Sequence, residues 1–333
     1  MRYVKSIGLN SNQQIGRGFN HPYDIAFSKN ERIYVLNRMY PQSTDGIRVQ
    51  ICDLYDEWYG EFGHGPGNTN DQFMVPVCID FNSEERLFIT DESHHQIKIF
   101  DRDGRFLEAW GRGTPKLTKL DGPSGICFDS IGNVLVAQQF NGNIIKISPS
   151  GEAILEFGER GTSQGKLNLP WGICVDDQDN IYVADWRNDR IQKFDREGGF
   201  LGTFGESGRG EGQLSRPSSV AVARDGRVIV ADWGNERVQI FDKGGRFESI
   251  LQGQATLSKW ALEWLDVNKD ELNARQTSDL EIKSLPTHLN TPYHRASQTE
   301  HIFWGPVSVK IDDSQRLYVT EHSRHRIQIY ELV

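Results

Sequence analysis

The stretch Pro170–Gly205, PWGICVDDQDNIYVADWRNDRIQKFDREGGFLGTFG, decides the fold. It contains four short runs rich in β-branched and aromatic residues, WGICVD, NIYVADW, RIQKFD and GFLGTFG, which are typical of half-buried strands. The breaks between them are rich in Asp, Asn and Gly, and Gly198 can adopt the positive φ that closes a tight hairpin. The stretch therefore predicts one antiparallel four-stranded meander.

A single meander cannot bury both of its faces by itself, so it is expected to recur along the chain, and it does. Three steps between copies are 47 residues and two are lengthened, to 54 and 89 residues. The six copies begin at Pro22, Pro76, Pro123, Pro170, Pro217 and Pro306. Although 333 residues would suggest two domains on length alone, the repetition predicts a single domain over 1–333.

The sixth copy lacks a fourth strand of its own before Val333. Residues 2–8, RYVKSIG, are similar to residues 105–111, RFLEAWG, the fourth strand of copy two. A strand from the N-terminus that completes the last sheet would close the ring and remove its open edges. We therefore predict an all-β fold, a six-bladed β-propeller closed by residues 2–8.

The repeated pattern resembles the NHL repeat. Its best copies are Asp185-Trp-Arg-Asn-Asp-Arg-Ile and Asp232-Trp-Gly-Asn-Glu-Arg-Val, and the resemblance covers nearly the whole chain except about 254–304. It implies a six-bladed propeller but not one function, because NHL propellers include RNA binders, protein-interaction modules and the peptidylamidoglycolate lyase. Arg190, Arg237 and Arg326 recur before the third strand, so we expect them to form a structural framework.

Charge and composition restrict the function classes. With 46 acidic and 37 basic residues, the net charge of −9 provides no global attraction for a phosphate backbone, so nucleic-acid binding is not favoured. A local basic patch would consist of Arg187, Arg209, Arg216 and Arg324. No apolar run reaches the length of a signal peptide or a membrane span, and the four cysteines fit buried, reduced core thiols. We expect a soluble, cytoplasmic protein.

Two insertions distinguish copies of the repeat. We call "top" the propeller face that carries the connections between second and third strands and between blades. Copy one has an insertion at Arg38–Gly46, and a longer one, 254–304, enters from the top between copies five and six. Its first half has apolar residues at helical spacing with Thr256 or Ser258 as N-cap, whereas its second half should be irregular. We expect a helix and loop over, or beside, the channel mouth.

Metal sites of related propellers do not transfer to this sequence. In the amidating lyase that the repeats resemble, metal-binding histidines directly follow the strand-opening prolines. The matching positions here contain no histidine: Tyr23, Val77, Ser124, Trp171, Ser218 and Val307. Gluconolactonase-type propellers hold a divalent cation with Glu, Asn and Asp, but Asp24 is the only acidic residue at these strand starts. No cofactor is predicted, and a divalent metal is kept only as an alternative.

Histidines offer one alternative site. His94, His95 and His322 fall in top turns of copies two and six, and His294 in the insertion could fold toward them to form a ligand or metal cluster. The competing interpretation is that these are solvated turn histidines.

Aromatic residues are the more unusual feature of the predicted top face. Tryptophan is favoured at interfaces and can receive a cation on its ring face. These residues fall at strand starts, in top turns or in the insertion: Tyr23, Trp171, Trp186, Trp233, Trp260, Trp264 and Trp304. Either the insertion helix packs on Trp186 and Trp233 as an internal cluster, or these residues form a pocket for a partner or ligand.

The sequence thus favours a non-catalytic scaffold that binds a protein partner through its top face and the 254–304 insertion. The alternative is a lyase or hydrolase of small molecules, with a pocket at the channel mouth roofed by the insertion. No Ser/His/Asp or Cys/His spacing decides between them.

Overall fold

The computed structural model describes residues 1–11, 15–39, 46–280 and 284–332. Six four-stranded antiparallel sheets form a closed ring of blades, which confirms the predicted six-bladed β-propeller. The strand that begins at each repeated proline is the innermost of its blade and lines the channel. Residues 40–45 of the copy-one insertion and 281–283 of the longer insertion lie outside the described residues.

The strand bounds follow the repeat closely. In blades 1 to 3 the strands are Pro22–Phe27, Arg32–Asn37, Arg48–Asp53 and Trp58–Phe62; Pro76–Phe81, Leu87–Asp91, Gln96–Phe100 and Phe106–Gly111; Pro123–Phe128, Val134–Gln138, Asn143–Ile147 and Ala153–Phe157. In blades 4 to 6 they are Pro170–Val175, Ile181–Asp185, Arg190–Phe194 and Phe200–Phe204; Pro217–Val222, Val228–Asp232, Arg237–Phe241 and Phe247–Leu251; Pro306–Ile311, Arg316–Glu321 and Arg326–Glu331. Two-residue strands, Glu206–Ser207 and Gln213–Leu214, pair in the loop before blade 5.

The N-terminal strand Arg2–Ile7 supplies the missing fourth strand of blade 6. It pairs antiparallel with Arg326–Glu331, with Ser6 opposite Gln328 and Ile7 opposite Ile327. Both ends of the chain therefore share one sheet, in which Arg2–Ile7 is the outer strand, and pairing within blade 6 closes the ring.

Apolar side chains fill the spaces between blades. Among the described residues, six clusters of buried side chains each combine residues of two adjacent blades, so every junction of the ring has its own core. At the channel, Gly125 and Gly172 let inner strands approach closely. A Cβ at Gly125 would lie 2.4 Å from the Trp171 carbonyl oxygen, and one at Gly172 would lie 2.7 Å from that of Ser218.

A buried hydrogen-bond acceptor ends the second strand of every blade. Its side-chain oxygen accepts a hydrogen bond from the backbone N–H two residues before the strand-opening proline, with N···O distances of 2.7 to 3.0 Å. The six acceptors are Asn37, Asp91, Gln138, Asp185, Asp232 and Glu321, all at most 2% exposed. They fix the connection into each blade to the top turn of that blade.

The expected arginine framework is present around three of these acceptors. Arg190 binds Asp185 at 2.8 Å, Arg237 binds Asp232 at 2.7 Å, and Arg326 binds Glu321 at 2.6 Å. Each guanidinium also donates to carbonyl groups of the incoming loop, such as Gln213 O at 2.8 Å from Arg237. Burial raises the pKa of Asp232, and the N–H groups that it accepts from oppose that shift.

The described residues of the 254–304 insertion form three short α-helices. Helix α1 is Lys259–Val267, with Ser258 as the N-cap that accepts from the Ala261 N–H. Helix α2 is Lys269–Thr277 and α3 is Pro292–Gln298, which begins at an N-cap formed by Thr291. The prediction of irregular structure in the second half is wrong for α3 and for the short 3₁₀ turn Thr287–Leu289, because the capped proline at the first position favours a helix.

The first half of the insertion does not roof the channel. Trp260 of α1 packs edge-on against Phe19 with ring centroids 5.5 Å apart, and its indole N–H donates to Asp56 O at 2.6 Å. It belongs to the core between blades 6 and 1, together with Ile7 of the closing strand. The expectation of a helix at the channel mouth is therefore wrong for α1, which fastens the closing junction from the outside.

Replacing Asp232 with Ala should lower the free energy of unfolding by about 3–5 kcal/mol, because Arg237 would keep a nearly buried charge without its carboxylate. Asp225→Ala in the same blade is the control, since its pair with Arg227 is exposed and should contribute at most about 1 kcal/mol. Urea unfolding followed by circular dichroism measures both changes. Equal effects would show that the buried acceptor does not stabilise the blade.

Trp260→Ala should destabilise the protein by about 3–5 kcal/mol, because it leaves a cavity in the closing junction. Trp264→Ala, in the same helix but 43% exposed, should cost below about 1 kcal/mol. Thermal and urea unfolding of the two variants tests the placement of α1. A larger loss for Trp264→Ala would contradict it.

Candidate functional site

Six side chains ring the top mouth of the channel, one from each blade. Each directly follows the buried acceptor at the end of the second strand, so the framework sets its position. In chain order they are Arg38, Glu92, Gln139, Trp186, Trp233 and His322. Blades 1 to 3 therefore contribute polar groups and blades 4 to 6 contribute aromatic rings, which makes the mouth chemically two-sided.

Two rings from opposite blades meet across this mouth. Tyr23 of blade 1 and Trp171 of blade 4 have centroids 6.3 Å apart, and the Arg38 guanidinium lies 4.6 Å from the Tyr23 ring centroid. The ring centroids of Trp171 and Trp186 lie 6.2 Å apart. Cation–π and offset aromatic contacts of this kind hold these side chains together and narrow the top of the channel.

Exposed arginines surround the aromatic half. Arg187 and Arg216 both lie 5.2 Å from the Trp186 ring centroid, and both side chains are exposed. In the connection into blade 6, the ring centroids of Trp304 and Tyr293 of α3 lie 5.7 Å apart, and the Arg324 guanidinium lies 5.2 Å from the Trp304 ring centroid. Helix α3 therefore extends the aromatic face outward over blades 5 and 6, where it packs against the short 3₁₀ turn Trp233–Asn235.

The structure divides the predicted aromatic set. Tyr23, Trp171 and Trp186 form one contact chain at the mouth, with Trp233 on the same rim and Trp304 beside α3. Trp260 and Trp264 do not join them: Trp260 is buried in the closing junction, and Trp264 lies beside Leu9 and Arg17 on the outer side. Their inclusion in the top-face set was wrong, because helical periodicity shows which residues share a face but not what that face contacts.

The predicted histidine cluster does not form. His94 is held 2.9 Å from Asp91, His95 Nδ1 accepts from the Gly122 N–H at 3.1 Å, and His294 pairs with Thr291 at 2.7 Å. Across the described ranges, no group of three or more His, Cys, Asp or Glu side chains is arranged to hold a metal ion. These three histidines are instead tied to separate partners.

A different trio of imidazoles lies at the mouth. His322 packs 4.7 Å from His21, which in turn lies 4.5 Å from His325 and donates its backbone N–H to His325 Nδ1 at 2.9 Å. Burial, then the neighbouring His21, lowers the pKa of His322 to about 3 and that of His325 to about 4. His21 was not among the predicted site residues, although its position directly before Pro22 was a usable signal.

Below Tyr23 and Trp171 lies a chamber of about 340 Å³ on the channel axis. Lys310 Nζ lies 3.7 Å from Asp24 and 3.9 Å from Asp80, and these opposite charges raise its pKa against the effect of burial. The Cys78 thiol donates to Asp24 Oδ2 at 2.8 Å, and Cys127 and Cys174 line the chamber in blades 3 and 4. Burial raises the pKa values of all three cysteines, so the thiols are protonated at neutral pH. Of the four unpaired cysteines, Cys52 and Cys127 are buried as predicted, whereas Cys78 and Cys174 face the chamber and are half-buried.

Comparison with known proteins identifies the repeat. The NHL repeat model matches residues 167–194, 214–241 and 303–330, which fall in blades 4, 5 and 6. Three blades of the closed six-bladed ring therefore match the NHL repeat.

Two relatives and a solved structure are similar to the chain. NHL repeat-containing protein 3 of Homo sapiens is 32% identical over 37% of this chain and 33% of its own length. Protein brain tumor of Drosophila melanogaster is 29% identical over 36% of this chain and 11% of its own. The chain thus spans a third or less of these relatives. A streptogramin B lyase structure, at 14% identity and a TM-score of 0.58 over 99% of this chain and 87% of its own, shares the fold.

Acid should destabilise the protein by protonating His322 and His325 at the channel mouth. Their folded pKa values lie below the unfolded value near 6.5, so the unfolded chain takes up protons first and stability falls as the pH drops from about 6.5 towards 4. For His322 the loss between pH 7 and pH 5 should be about 2 kcal/mol. Urea unfolding at both pH values should show that His322→Phe removes this part of the dependence. An unchanged dependence would contradict the burial of His322 as a neutral imidazole.

Proposed function

We propose that this propeller is a non-catalytic scaffold that binds a protein partner through its top face, in a cytoplasmic setting. The observation that carries the proposal is the contact chain Tyr23–Trp171–Trp186, bordered by exposed arginines on a chain whose net charge is −9. Aromatic and arginine side chains are the groups most enriched at the energetic centres of protein interfaces. The described helices include none that is both long and apolar enough to cross a membrane.

Two features enlarge the surface that this face offers to a protein partner. Arg187 and Arg216 are exposed, and neither makes an ion pair among the described residues, so both guanidiniums can bind carboxylates or carbonyls of another chain. Tyr293 on α3 is 54% exposed and continues the surface beyond the mouth. We therefore assign the docking role within the insertion to α3, and a structural role to α1.

The test is affinity purification from the native source with the full chain and with a Trp186→Ala/Tyr293→Ala double variant. Both side chains are partly or largely exposed, so the fold should persist while a partner held by the top face is lost or reduced at least tenfold. The matched control is Ile154→Ala/Leu201→Ala, which removes similarly exposed apolar side chains from outer strands of blades 3 and 4.

Equal capture by all three forms would refute a top-face interface. Capture of nothing specific would instead favour the alternative, a lyase or hydrolase of small molecules. Its support here is the chamber that holds Lys310, Asp24 and Asp80. In that case the roof of the site would be Tyr23 and Trp171 rather than the insertion.

A further inference from the structure

We propose that a pocket at the channel mouth is the anchor for one apolar or aromatic side chain of a neutral peptide segment of the partner, with the adjoining peptide bonds bound by the polar half of the mouth. The inference rests on the proposed function and specifies which part of the partner the top face would recognise.

The pocket has the size of one side chain. It measures about 140 Å³, close to the ~150 Å³ of a cavity that holds a benzene molecule. Tyr23, Trp233 and His322 form its aromatic walls, and Val75 and Val307 form its aliphatic walls. A branched aliphatic or phenyl group would contact these walls, whereas a charged group would lose its hydration without gaining an ion pair from them.

Arg38 marks the polar border of this pocket. Its side chain also lines the pocket, and its Nη1 atom is buried without a hydrogen-bond partner. Glu92 Oε2 lies 3.5 Å from Arg38 Nη2 in a loose ion pair and has no hydrogen-bond partner among the described residues. Gln139, in the next blade, is 4% exposed and has an unsatisfied Nε2. A ligand group that hydrogen-bonded to these polar atoms would recover free energy that is lost when they are buried without partners.

The chemistry of these three groups selects an amide. Arg38 and Gln139 offer donors, Glu92 offers an acceptor, and their formal charges sum to zero. A phosphate or carboxylate would be repelled by the Glu92 carboxylate, and an ammonium would be repelled by the Arg38 guanidinium, so a ligand of either charge would face a like charge. A peptide bond can accept from Arg38 or Gln139 and donate to Glu92 without carrying a charge. A neutral main chain with an apolar side chain is therefore the class of ligand that fits both halves of the mouth.

Capped amino acids are the direct probe. Ligand-observed NMR with the full chain should show that N-acetyl-phenylalaninamide and N-acetyl-leucinamide bind, with dissociation constants in the millimolar range expected of so few atoms. The capped lysine and aspartate amides should bind at least tenfold more weakly. Val75→Phe, which fills the pocket, and Arg38→Met, which removes the donor, should each weaken binding of the capped phenylalanine by about tenfold. Leu201→Phe on an outer strand is the control and should leave binding unchanged.

Two results would overturn the pocket. One is no binding of the capped phenylalanine up to its solubility limit; the other is binding that both Val75→Phe and Arg38→Met leave unchanged, with both variants folded by circular dichroism. The outcome also separates the two proposals. Partner capture that is lost in Trp186→Ala/Tyr293→Ala but kept in Val75→Phe refutes the anchor pocket alone, because neither Trp186 nor Tyr293 lines it.

Discussion

The buried acceptor that ends each second strand is the constraint on which the top face depends. It binds the backbone N–H two residues before the strand-opening proline, so the incoming loop, the top turn and the inner strand of a blade are fixed together. The next residue along the chain is thereby delivered to the channel mouth in all six blades. The framework is repeated, but the residue that it presents differs from blade to blade, so a regular ring has a chemically irregular top face.

Repetition explains why the fold could be predicted from the sequence. The six prolines, the alternation within each strand and the similarity of residues 2–8 to a fourth strand each express local structure, and their recurrence removed the ambiguity that one short apolar run would leave. The arginine framework was predictable for the same reason, since Arg190, Arg237 and Arg326 occupy one position of the repeat. The insertion has no second copy, and its helical periodicity could not show that Trp260 packs beside Phe19, more than two hundred residues away.

The candidate site was predictable only in part, because side chains meet there across the ring. Tyr23 and Trp171 were both assigned to the mouth, but their contact follows from blades 1 and 4 being opposite in a six-membered ring. Arg38 and Gln139 were missed as site residues although they occupy the same repeat position as Trp186. All six mouth residues follow their strand-opening proline at the same spacing, from Pro22 to Arg38 in copy one and from Pro306 to His322 in copy six, so the sequence already aligned them in one column. The predicted histidine cluster does not form because His94, His95 and His294 are held by separate partners. His322 packs against His21 instead.

The two halves of the insertion have different roles: the first contributes to the stability of the ring, and the second belongs to the surface proposed for recognition. Helix α1 buries Trp260 in the junction where the first and last blades meet, the one junction closed by strands from opposite ends of the chain. Helix α3 instead lies on the top face, with Tyr293 against Trp304. Removal of the whole insertion would therefore open the closing junction and remove the proposed docking surface at once. Point substitutions at exposed positions are required to tell the two apart, since they leave the ring closed while changing what its top face presents.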